Sequence, residues 1–79
     1  MLFSWMAKKY FAITNHLQPE PEAEFDSFEK TRTYLVDKAN RIHKTLPLKI
    51  AFMKNSRIRE QDENGSYSDR DWFSEGKMP

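Results

Sequence analysis

Residues 25–53 read FDSFEKTRTYLVDKANRIHKTLPLKIAFM, and two different periods meet in them at Pro47. Phe25, Phe28, Leu35, Ala39, Ile42 and Leu46 recur at intervals of three, seven, four, three and four residues. That spacing sets them along one side of a helix of about five turns and predicts a helix over 26–46. Asp26 stands where an N-cap belongs, and Glu29 follows at the capping-box spacing. Asp26 with Lys30 and Asp37 with Arg41 are acid-first i,i+4 pairs, each of which supports a helix weakly. Pro47 is expected to end it. Beyond the proline, LKIAFM (residues 48–53) alternates Leu48, Ile50 and Phe52 with Lys49, Ala51 and Met53, which predicts a strand.

Upstream, KKYFAIT (residues 8–14) is a short run enriched in aromatic and β-branched residues and predicts a first strand. Residues 15–24 contain Pro19-Glu20-Pro21-Glu22 and read as a connecting loop, because each proline lacks an N–H and holds its predecessor extended. Downstream, Asn64-Gly65 is a strong hairpin signal, since both residues tolerate positive φ. A turn at 63–65 sets Asp62 against Ser66, Arg59 against Asp69 and Arg57 against Asp71, so that two opposite-charge pairs share a face. The last strand is expected over 67–73.

The expected order is strand–helix–strand–strand. This is a small α+β domain with one amphipathic helix packed on a three-stranded sheet. A right-handed crossover would lay the first two strands parallel, with the third antiparallel. One sheet face stays open, carrying Tyr10 and Ala12 or Ala51 and Met53, and a homodimer through that face would cover it.

Seventy-nine residues allow a single domain, with 1–7 and 75–79 expected to fray. Met6-Ala7-Lys8-Lys9 resembles a translation start, which makes residues 1–5 read as an upstream extension. Ten Val, Ile and Leu residues give a small core that must lean on aromatics, at 14% of the chain. A core of this size supplies a margin of roughly 3–5 kcal/mol. The absence of cysteine excludes disulfide scaffolds, thiolate zinc sites and thiol nucleophiles, and it fits a reducing, cytoplasmic setting. The apolar start is too short for a signal peptide, and no run approaches the ~20 apolar residues of a membrane span, so no membrane partner is expected.

Catalytic patterns do not emerge. His16 and His43 are 27 residues apart and lack metal-ligand spacing; His16 reads as a solvated loop residue and His43 as a complement to a helix dipole. Two glycines cannot build a phosphate-cradling loop. The carboxylates fall at a helix start and opposite arginines rather than in a pocket that separates their pKa values. The expectation is a non-enzyme without metal or cofactor.

Charge is blocked along the chain although the net charge is +1. Residues 38–59 hold seven cations and no acid. Arg41, Lys44, Lys49 and Lys54 in that block are the candidate phosphate contacts of a nucleic-acid reading. The aromatics outside the expected core, together with nearby arginines, favour instead a protein partner, with Trp72, Phe73 and Tyr67 as anchors and Arg57 and Arg59 as orienting charges. The functional expectation is a protein-binding inhibitor or adaptor of a larger machine. By class-level analogy alone, small charged domains of this kind occur among phage and mobile-element accessory proteins.

Overall fold

In the computed structural model, which describes residues 8–15, 17, 20–70 and 72–73, the aromatic run Lys9–Ile13 forms β1. Ala23–Phe25 forms β2, Phe28–Ile42 α1, Leu46–Lys54 α2, Arg57–Gln61 β3 and Tyr67–Arg70 β4. The sheet order is β2-β1-β3-β4, and every neighbouring pair is antiparallel. The fold is thus α+β, but with four strands and two helices where three strands and one helix were expected.

The additional strand lies inside the expected 15–24 loop and just beyond it. The Glu22 N–H donates to the Ala12 carbonyl at 2.9 Å, and Ala23, Glu24 and Phe25 then pair with Ala12, Phe11 and Tyr10. Pro19 and Pro21 do not prevent this, because β2 is an edge strand and both prolines precede it. Its return beside β1 also changes the crossover. The helical connection joins β2 to β3, which flank β1 and run in the same direction. The strands expected to be parallel neighbours, β1 and the one that follows the helical region, are therefore not such a pair: β3 runs antiparallel to β1.

Helix α1 begins one residue later than its expected cap. Ser27, extended at φ −147° and ψ 152°, accepts from the Lys30 N–H at 3.0 Å. Asp26 instead pairs with the Lys30 ammonium at 3.1 Å. The helix ends at Ile42, because His43 is extended at φ −124° and ψ 140°. Thr45 is extended as well, and Pro47 falls in the first turn of α2. There a missing N–H costs nothing and the fixed φ is already helical. The proline therefore starts a helix rather than ending one, and residues 48–53 are helical, not a strand.

Two apolar clusters hold the layers together. Ala12, Leu35 and Ile58, all at 0% exposure, bring β1, α1 and β3 into one core with Tyr10, Ala23, Phe28, Tyr34 and Trp72 around it. Ala39, Met53 and Phe73 join α1, α2 and the segment after β4 in a second, which Val36, Ile50, Phe52 and Trp72 surround. Ala12 and Met53, expected on an open sheet face, are instead interior. Helix α2 packs chiefly on α1. The buried hydroxyls are satisfied locally, Thr31 donating to the Ser27 carbonyl and Ser56 to the Phe52 carbonyl, both at 2.8 Å.

Candidate interaction surfaces

The β3–β4 hairpin sets the first surface. Asp62 Oδ1 accepts from the N–H groups of Asn64 and Ser66, both at 2.9 Å, and Gly65 takes φ 88°. The resulting register places Arg59 opposite Asp69 and Gln61 opposite Tyr67. Ala12 and Ile58 face α1, so alternate positions point the other way. Phe11 of β1, Arg57 and Arg59 of β3, and Tyr67 and Asp69 of β4 therefore share the face turned from the helices.

On that face the charged and aromatic groups are fixed against each other. Arg59 Nε and Nη2 donate to Asp69 Oδ1 and Oδ2 at 2.7 and 3.2 Å. This bidentate pair holds the Asp69 carboxyl below its usual range and raises the guanidinium pKa. The Arg59 guanidinium carbon lies 5.9 Å from the Tyr67 ring centre, and the Phe11 ring is 6.4 Å from that of Tyr67. Tyr67 remains 61% exposed. Arg57 donates to the Lys54 and Ser56 carbonyls at 3.3 and 3.1 Å, which ties its head group to the end of α2.

Trp72 and Phe73 are placed differently from the anchors they were expected to be. Phe73 belongs to the second core cluster. Trp72 is half-buried between the two clusters, its ring 5.7 Å from that of Phe73, and its buried indole N–H has no acceptor. Both rings follow β4, which stops at Arg70 rather than continuing to residue 73. Asp71, the expected partner of Arg57, lies outside the described residues, as do His16, Phe3, Trp5 and the expected frayed segments 1–7 and 75–79.

The second surface is the corner between α1 and α2. Ile42, Leu46 and Leu48 are about half exposed, at 48%, 55% and 52%. A groove of about 350 Å³ opens beside them, lined by Thr14, Asn15, His43, Leu48, Ala51, Phe52 and Asn55. The His43 and Phe52 rings lie 5.7 Å apart within it. Of the four candidate phosphate contacts, Arg41 and Lys44 stand at this corner. Lys49 and Lys54 are five residues apart on α2 and so diverge by about 140° around its axis. Among the described residues Arg41, Lys44 and Lys49 form no ion pair. The groove was hidden from sequence reading, because its lining exists only if residues 48–53 are helical.

Other polar clusters serve the framework. Thr14 Oγ1 donates to Glu22 Oε1 at 2.7 Å, while Tyr34 and Lys38 both donate to Oε2. Partial burial pushes the Glu22 pKa up, but the three donors outweigh it and bring the carboxyl to about 2. Glu60 takes Lys8 at 3.0 Å and Arg70 at 2.6 Å, and these pairs lower its pKa. Arg70 also lies over the Phe28 ring, 5.0 Å from its centre. A further groove of about 410 Å³ runs between β2 and α1 along Phe25, Thr33 and Tyr34, with Glu29, Lys30 and Asp37 around it.

Among the described residues no group of three His, Cys, Asp or Glu side chains is arranged to hold a metal ion, and no helix is long and apolar enough to cross a membrane. Comparison with known protein families, characterised proteins and solved structures finds no match to this chain.

Proposed function

We propose that this protein is a non-catalytic protein-binding module that works as an inhibitor or adaptor of a larger assembly. The observation that carries this reading is the cluster of Phe11, Arg59 and Tyr67 on the sheet face away from the helices. Tyr and Arg dominate interface hot spots, and side chains fixed before binding lose little freedom on contact. Tyr67 supplies an exposed ring, Arg59 is held beneath it by Asp69, and Arg57 is anchored alongside. Trp72 and Phe73 support this face from within the core and are not its contacts.

The test uses a tagged full chain recovered from cell lysate with and without nuclease. A stoichiometric protein that survives nuclease and is lost from Tyr67→Ala, while the variant keeps its melting temperature, supports the reading. Retention of that protein by Tyr67→Ala removes the sheet face from the interface. A second copy of the chain is one candidate occupant of the same face, and sedimentation at rising concentration separates homodimer from monomer.

Nucleic-acid binding is the second reading, favoured by the lack of ion pairs at Arg41, Lys44 and Lys49 among the described residues. It requires an affinity that falls steeply with salt and a slope that flattens when these residues are neutralised.

A further inference from the structure

Helix α2 departs from the usual relation between composition and burial. Apart from Lys49 and Lys54 every one of its residues is apolar, and a helix apolar on all sides ordinarily lies inside a protein. Here Met53 alone is buried. The reason is topological: α2 leans on α1 and on Phe73, and the sheet is already covered by α1. Its outward residues Leu48 and Ala51 therefore line the groove with His43 and Phe52, and Leu46 and Ile42 lie exposed at the same corner.

The charge at this corner is one-sided. No acid occurs between residues 38 and 59, and the cations that do find acids lie elsewhere, Lys38 with Glu22 and Arg59 with Asp69. Arg41, Lys44 and Lys49 keep their charge without an ion pair among the described residues. An apolar groove with a cationic surround is complementary to a ligand that is apolar at its centre and acidic around it.

Three classes of macromolecule carry negative charge, and the aliphatic character of the corner separates them. Single-stranded nucleic acid binds through exposed aromatic rings on which bases stack, whereas the exposed side chains here are Ile42, Leu46 and Leu48. An interfacial membrane helix needs a long apolar face rich in Trp, Phe or Leu. The nine residues of α2 span only about 13 Å. A peptide whose leucine or aromatic side chain enters the groove, with carboxylates on either side, uses every feature of the corner.

We propose that the groove between α2 and the end of β1 is a second docking site, and that its occupant is an acidic peptide segment of a partner protein with an apolar anchor. Leu48, Ala51 and Phe52 receive the anchor, and Arg41, Lys44 and Lys49 receive the carboxylates. The proposal extends the protein-binding reading to a surface separate from Tyr67 and Arg59.

The full chain, isotopically labelled, is titrated with a synthetic peptide of about 18 residues, five helical turns, carrying Leu on one face and Glu on the other. Counterparts with Lys for Glu or Ser for Leu, a single-stranded oligonucleotide and phosphatidylglycerol vesicles are titrated in parallel. The expected result is saturable amide shifts over residues 41–52 with the Leu/Glu peptide alone, weakening as salt rises. Leu48→Ser and the double change Arg41→Glu with Lys44→Glu each lower the affinity by at least about tenfold, at an unchanged melting temperature, because these side chains are exposed. Equal binding of the Lys or Ser peptide, shifts centred on Tyr67, or no saturation overturns the proposal. Loss of the lysate partner from Tyr67→Ala without peptide binding at the corner removes the corner alone. An oligonucleotide or vesicle that binds the corner in preference to the Leu/Glu peptide overturns it as well, and the oligonucleotide result also counts against the protein-binding reading.

Discussion

Arg59 on β3 and Asp69 on β4 face each other across the hairpin with both carboxylate oxygens engaged, at 2.7 and 3.2 Å. The pair is partly solvent-exposed, so its contribution to stability is small, about 0.2–1 kcal/mol. Its larger effect is to hold the guanidinium beside Tyr67. Asp69→Asn is therefore expected to leave the denaturation midpoint nearly unchanged while weakening capture of a partner at the sheet face. A loss of stability above about 2 kcal/mol in a urea titration would show that the pair is structural first.

Glu22 gives the chain a specific response to acid. Its carboxyl titrates near 2 in the folded protein and near its ordinary 4.5 when unfolded. A depressed folded pKa contributes stability that is complete above the unfolded value and is lost as pH falls through the window from 4.5 to about 2. Glu22→Gln should cost roughly 1–2 kcal/mol at pH 7 and should flatten the decline below pH 4.5. Urea midpoints at neutral and acid pH measure this, and parallel curves for the two proteins would refute it.

Trp72 separates packing from hydrogen bonding. Its indole N–H is buried without an acceptor, so Trp72→Phe gives up no hydrogen bond and should change stability by less than about 1.5 kcal/mol. Trp72→Ala opens a space between both clusters and should cost about 3–5 kcal/mol, which is the whole margin of a domain this small. Equal losses for the two variants would mean that the N–H is bonded in solution.

Leu35 is the residue of α1 that reaches the first cluster with no exposure. Leu35→Ala is expected to cost about 2–5 kcal/mol, enough to unfold the chain at ambient temperature. Circular dichroism at 25 °C with an unchanged helical signal would contradict this.

Gly65 tests the turn by itself. A Cβ there would meet its nearest neighbour, Gln61 Nε2, at 3.9 Å, so space is ample and the φ of 88° is the only obstacle. Gly65→Ala should cost about 1 kcal/mol and Gly65→Asn less, read from thermal melts. A neutral alanine would mean that the turn adopts another conformation in solution.

Much of the hairpin was legible in the sequence because a tight turn and paired charges specify register together. Asn64-Gly65 located the reversal, and the register that sets Arg59 against Asp69 is the one observed. The centre of α1 was legible from the recurrence of Phe28, Leu35 and Ala39. The helix break was not, because Pro47 carries one meaning at a helix end and the opposite meaning in a first turn. LKIAFM is apolar at five of six positions, so a period of two fits it as readily as a helical one. Ala23-Glu24-Phe25 does alternate, but three residues beside two prolines do not outweigh a loop reading. The shared face of Tyr67 and Arg59 follows from register alone. Phe11 joins them only once β3 is known to run antiparallel to β1, and the groove at His43 and Phe52 needs the second helix.

The contact of Phe73 with Ala39 and Met53 bears on how the chain matures on the ribosome. Residues 39 and 53 leave the exit tunnel well before residue 73, and Leu35 must likewise wait for Ile58. During that interval α1 and α2 have formed as far as local contacts allow, with their apolar stripes facing solvent and β1 lacking its central partner. Completion of the core is therefore a late event in synthesis, and the nascent chain spends its vulnerable period as a helical pair exposed to chaperones and proteases.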